Sequence, residues 1–189
     1  SKLKIIDVTE GLAIKYSYEE LWLNPINYLM LAQNVKNGLK EYIDSPVIKE
    51  EIDKNYDNFK VTISEFETNL KLLSQNAKSN VIIVSKNYFK FLENYGFEVI
   101  SVEETEDLSN DTIKKAKDAI KNKDNNYVFV PEDELNNYSN TVKELVSIGA
   151  EVKKLNTMTL LTSKQRENKD DYITLMKENI ENLKEEAYK

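Results

Sequence analysis

Neither histidine nor cysteine occurs anywhere in the 189 residues. Zinc sites of the usual nitrogen and sulfur kind are therefore excluded. Histidine acid–base chemistry, Ser-His triads and cysteine nucleophiles go with them. Only four glycines are present, and none forms a glycine-rich phosphate loop of the dinucleotide or P-loop kind. No stretch approaches the roughly 18 apolar residues that span a bilayer. No basic stripe is segregated either: the net charge is −7, and the lysines are interleaved with acids and asparagines. An acidic body of that kind repels nucleic acid. The absence of cysteine is compatible with an extracytoplasmic setting.

What is present fits a folded chain, with 40% hydrophobic and 31% charged residues. The chain opens on Leu3-Lys4-Ile5-Ile6-Asp7-Val8, an apolar run that reads as a strand with an upstream part removed. Asn24-Pro25 is a helix start, because Asn caps well and Pro suits the first helical position. Leu29, Ala32, Val35, Leu39 and Ile43 then recur at helical spacing until Ser45-Pro46. Ile48, Ile52, Tyr56, Phe59, Ile63, Phe66, Leu70 and Leu73 trace one apolar stripe along a long helix of about seven turns.

After Asn80 the pattern changes. Val81-Ile82-Ile83-Val84 is a β-branched run suited to a strand covered on both faces. A helix with Tyr88, Phe89 and Leu92 follows and stops at Gly96. Val99-Ile100-Ser101-Val102 and Tyr127-Val128-Phe129-Val130 predict further strands, with a Ser109-capped helix between them. A helix ending at Gly149, a strand with Val152 and Leu155, and a terminal helix complete the chain. That last helix carries Tyr172, Met176, Ile180, Leu183 and Ala187, and residues 157–169 before it read as loop.

Alternating strands and helices predict a three-layer α/β fold with a mainly parallel four-stranded sheet and helices on both faces. The whole of 1–189 reads as one domain. Residues 1–23 form a strand or loop lead-in, 24–77 two helices including the long one, and 80–189 the βα units and terminal helix.

Several strings resemble the C-terminal lobe of the solute-binding proteins of zinc and manganese ABC importers. Ile5 to Gly11 resembles the segment before that lobe. Leu21-Trp22-Leu23-Asn24-Pro25 resembles the end of a D-P-H-x-W-L-(D/N)-P motif. Val84-Ser85-Lys86-Asn87-Tyr88-Phe89 with Tyr95-Gly96 resembles V-S-H-x-A-F…Y-G, and residues 171–183 resemble the closing helix. The resemblance implies a non-enzymatic lobe of an extracytoplasmic, membrane-anchored lipoprotein. Its implied partners are an N-terminal lobe and an ABC permease. It places the metal-ligand positions at Glu20, Lys86 and Asn156. Trp22, beneath the site loop, and Glu132, after a strand end where open α/β sheets bind ligands, are candidate cleft contacts.

Those positions are degenerate. A protonated lysine offers three donors and no lone pair, and it puts positive charge where a cation would sit. No tight binding of zinc or manganese by this chain alone is expected, and no other cofactor. Glu20 and Lys86 either face one another, with the ammonium standing in for an ion, or point to solvent. The alternative function is an adhesin-like surface module that kept the fold and lost the ion. An enzyme is excluded because no nucleophile–base arrangement exists. Glu103-Glu104 and Glu132-Asp133-Glu134 read as helix N-terminal charges. Tyr16, Tyr18 and Tyr28 read as half-buried edges of the core, and Trp22 as a packing anchor.

Overall fold

A computed structural model describes residues 4–189. The chain divides into two compact units, residues 1–68 and 69–189, each with its own internal logic.

The first unit is helical. A short helix α1 (Glu20–Leu23) leads to α2 (Pro25–Tyr42) and then to the start of α3 (Pro46–Asn76). Asn24 caps α2 through its side chain, and Pro25 occupies the first turn, as the dipeptide predicts. At 31 residues, α3 runs longer than the seven turns expected. Its stripe is graded: Ile48 is 46% exposed, whereas Ile63 and Phe66 are 1% and 2% exposed. Within this unit α2 and α3 are held by an edge-on contact of Tyr28 with Phe59 and by Lys36 and Lys40, which both reach Asp53.

Two expectations fail here. Leu3 lies outside the described residues, and residues 4–8 take no regular structure in place of the expected strand. The apolar stripe of α2 is also less buried than its spacing suggests, since Val35 and Leu39 are each 42% exposed. The helix turns another face to the lead-in. Asn34 donates to the carbonyls of Val8 and Glu10, and Ile6 lies on Gly38. A satisfied backbone carbonyl and a close approach on glycine outweigh the apolar positions there.

The second unit holds the sheet. Strands β1 (Val81–Val84), β2 (Glu98–Ser101), β3 (Tyr127–Pro131) and β4 (Glu151–Leu155) are all parallel, in the order β2-β1-β3-β4. Alternate strand residues point to opposite faces. Ile83, Ile100, Val128 and Val130 join Ala116 and Ile120 of α4 (Asn110–Lys121) and Val142 and Leu145 of α5 (Asn140–Ser147) in one core. Ile82, Val84 and Phe129, the alternate row, are equally buried. Their end of the chain is served by a 3-10 helix (Asn87–Tyr95) after β1 and by α7 (Tyr172–Ala187), which packs along β4.

The segment with Tyr88, Phe89 and Leu92 is therefore a 3-10 helix, ended by Gly96 at φ +96°. A further short helix, α6 (Ser163–Asn168), interrupts the expected loop of residues 157–169. Thr162 and Gln165 start it with a complete capping box. β4 lies at an edge of the sheet and carries Lys153 and Lys154, charges that discourage edge-to-edge pairing. Among the described residues no helix is long and apolar enough to cross a membrane.

Candidate functional site

In the order β2-β1-β3-β4 the chain leaves β1 for one neighbour and β3 for the other. The crevice outside the strand C-termini at such a switch point is where open α/β sheets bind ligands. Ser85 and Lys86 follow β1 there, Glu132 to Glu134 follow β3, and Asn156 follows β4.

The ammonium of Lys86 lies 2.6 Å from Oε1 of Glu134, each side chain 27% exposed. Glu134 sits in a single 3-10 turn (Glu132–Glu134) directly after β3. Lys86 therefore spans from one side of the switch point to the other, and a carboxylate of its own unit is its partner.

Asn156 is fully buried, and every part of it is engaged. Its Nδ2 donates to Glu178 Oε2 at 2.8 Å, and its Oδ1 accepts from Gln165 Nε2 at 3.3 Å. Its backbone N–H donates to Asn179 Oδ1 at 2.6 Å, while Asn179 Nδ2 returns a bond to its carbonyl at 2.9 Å. The relay continues at both ends. Gln165 also donates to Glu132 Oε2 at 3.3 Å, and Glu178 Oε1 holds Lys154 at 2.7 Å. Glu132, a predicted cleft contact, is thus brought into the same network as Asn156.

Burial pushes the Glu132 carboxyl up, against the lowering effect of the Gln165 bond and Lys154. For Glu178 burial acts in the same direction, but hydrogen bonds from Lys154 and Asn156 outweigh it and hold the carboxyl below its ordinary value.

Glu20 and Trp22 belong to the other unit. Glu20 is 2% exposed, and its carboxylate accepts the backbone N–H groups of Tyr16 and Ser17. Its carbonyl accepts Asn27 Nδ2 at 3.1 Å. This is a carboxylate that organises the turn into α1. Each side chain has partners within its own unit: backbone amides for Glu20 and Glu134 for Lys86. Trp22 is half-buried, and Tyr18 is 74% exposed and is no core edge.

At the positions that the resemblance marks, Lys86 is an ammonium already paired, and Asn156 is an amide with its oxygen and nitrogen both used. Among the described residues no group of three or more acids is placed to hold an ion. Glu103 and Glu104 lie in the loop after β2 and not at the start of α4, but each accepts from the start of another helix. Glu103 accepts from Asn87 N–H at 2.8 Å, and Glu104 from Thr141 N–H at 2.7 Å.

Four participants escaped the sequence reading: Glu134 as partner of Lys86, and Gln165, Glu178 and Asn179 as partners of Asn156. Asn179 left a signal. Tyr172, Met176, Asn179, Leu183 and Glu186 follow one another in steps of four and three, so two polar residues sit on the apolar stripe of α7. Both are buried, and Glu186, with no exposure, accepts the N–H groups of Asn126 and Tyr127 at the start of β3.

Residues 2–186 match the family described as zinc-uptake complex component A, periplasmic. Among solved structures, the metal-dependent lipoprotein YcdH from Bacillus subtilis is 19% identical at a TM-score of 0.74, over 96% of this chain and 70% of that one. The Zn(II)-bound ZnuA-like domain of Streptococcus pneumoniae AdcA is 20% identical at 0.73, over 97% and 70%. The laminin-binding protein Lbp of Streptococcus pyogenes is 17% identical at 0.68, over 97% and 72%. At these identities the likeness is one of fold. Among curated proteins no sequence matches.

Proposed function

The chain belongs to the family of periplasmic zinc-uptake component A proteins, non-enzymatic receptors of metal importers, and from that premise we propose that it is the C-terminal lobe of an extracytoplasmic, membrane-anchored solute-binding protein whose own donors do not hold metal tightly. An N-terminal lobe and an ABC permease are its partners in this reading. The observation that carries the reading is the Lys86–Glu134 pair at the switch point. An internal cation already satisfies the carboxylate there, and a divalent ion would have to displace it. The pair itself is worth little at this exposure, but its ammonium lies within reach of any cation at Glu134 and repels it.

Calorimetric titration of the purified chain with Zn2+ and with Mn2+ tests this. The expected result is no uptake tighter than about 1 mM, equivalent to a binding free energy of about −4 kcal/mol. Micromolar or tighter uptake by the chain with Lys86 intact overturns it. Genes for a permease and an ATPase beside this one support the import role. Their absence, together with binding to a host-surface protein, points instead to the adhesin-like alternative.

A further inference from the structure

We infer that Glu178 commits position 156 to an uncharged amide, so that the loop after β4 rejects a carboxylate and, with it, oxygen ligation of a cation at that place. This rests on the proposed reading in equating position 156 with a ligand position. Its physical content, however, involves no metal.

The polarity of the network is set at one end and passed along. The backbone N–H of Thr162 donates to Gln165 Oε1 at 2.7 Å, as part of the α6 capping box. The other end of the Gln165 amide, Nε2, must then face Asn156 and Glu132. A donor approaching Asn156 needs its Oδ1, which turns Nδ2 towards Glu178. Glu178 Oε1 meets the Lys154 ammonium at 2.7 Å, so this side chain faces its partners as an acceptor and does not donate. Each partner thus requires an amide between them.

An aspartate at this position would have no way out. The main chain is pinned in both directions by Asn179, so the side chain cannot swing to solvent without breaking buried bonds. One of its oxygens would take the place of Nδ2 against Glu178 Oε2, where the two atoms now stand 2.8 Å apart. The charged groups facing the spot are Glu178 from α7, Lys154 from β4, and Glu132 with Asp133 from the turn after β3. A single ammonium cannot neutralise the acids already there and a further buried carboxylate. Two carboxyl groups at such a separation share a proton.

The sign of the pH effect follows. A buried acid whose folded pKa is raised costs nothing while protonated and destabilises as pH rises above its unfolded value. Thermal unfolding of the full chain in chelator-treated buffer, at about pH 5 and about pH 7.5, reads this for Asn156→Asp, Glu178→Gln and the double variant. Asn156→Asp is expected to lower Tm by roughly 5 °C or more at the higher pH, with a much smaller deficit at the lower. Glu178→Gln alone stays within about 2 °C of the native chain, because its amide oxygen still accepts from Asn156 and Lys154, one-third exposed, can turn to water. The double variant recovers most of the loss, since the new amide can donate to the new carboxylate.

An Asn156→Asp variant as stable as the native chain at the higher pH overturns the inference. So does a deficit independent of pH, or a double variant no better than the single one. If Asn156→Asp does not fold at the higher pH, recovery at the lower pH or in the double variant supports the inference, and failure of both overturns it. Metal titration of the native chain is a separate readout: tight uptake would remove the proposed function and leave this stability pattern standing.

Discussion

Lys86 and Glu134 close an ion pair at 2.6 Å between the segment that follows β1 and the turn that follows β3. β1 and β3 are neighbours in the sheet, and their continuations part company at this point. The pair therefore ties together the two segments that would otherwise line an open crevice.

Its value to stability is small. Both head groups keep contact with water, and half-exposed pairs of this kind contribute about 0–1 kcal/mol. Lys86→Met is expected to lower the unfolding free energy by no more than that amount, read as a shift of the urea midpoint at unchanged slope. A larger loss would mean that the pair supports the fold beyond the crevice.

Glu186 is the opposite case. Its carboxylate is fully buried, accepts the N–H groups of Asn126 and Tyr127, and has Lys189 beside it as counter-charge. Glu186→Ala leaves two amides without an acceptor and is expected to cost about 3 kcal/mol, while Glu186→Gln keeps one oxygen and costs about 1 kcal/mol. Chemical denaturation checks the ranking. Hydrogen exchange checks the place, since protection at Tyr127 should fall first.

Gly96 ends the 3-10 helix at φ +96°, and a Cβ there would meet Ser74 Oγ at 2.8 Å. That hydroxyl holds the carbonyl of Tyr95. Gly96→Ala therefore combines left-handed strain of about 1–2 kcal/mol with a displaced hydrogen bond. Equilibrium unfolding should show a loss at the upper end of that range. A neutral result would show that the loop before β2 relaxes freely.

Asp171 caps α7, its carboxylate accepting the backbone N–H of Thr174 at 2.9 Å and then the hydroxyl at 2.8 Å, and these bonds hold its carboxyl below the ordinary value. A depressed carboxyl stabilises above its unfolded pKa, and that contribution disappears as pH falls through the folded one. Asp171→Ala should cost about 1 kcal/mol near neutrality. The gap to the native chain should close as the pH is lowered below the normal carboxylate range. A gap constant with pH would rule out the cap as its source.

Much of the second unit was legible because local chemistry decided it. β-branched runs bounded by Asn80, Gly96 and Pro131 give strands with few alternatives, and Ser109 caps its helix as read. Less was legible where a tertiary partner overruled a local pattern. Ile5 and Ile6 look like part of a strand, but they take no regular structure, and Ile6 settles on Gly38. The helix α6 was missed although Thr162 and Gln165 spell out its capping box.

The sequence by itself determined which chemistry is impossible: without histidine or cysteine, no loop arrangement can create a soft-metal site or a triad. It also determined the succession of strands and helices, because hydrophobic period and caps act over a few residues. Only the tertiary structure decided what Glu20, Lys86 and Asn156 do. Their partners lie in backbone turns, in Glu134 and in Glu178, and burial makes the bonds of Glu20 and Asn156 obligatory. A charge or an amide removed from water must find its complement in space, and neither spacing nor composition records which residue provides it.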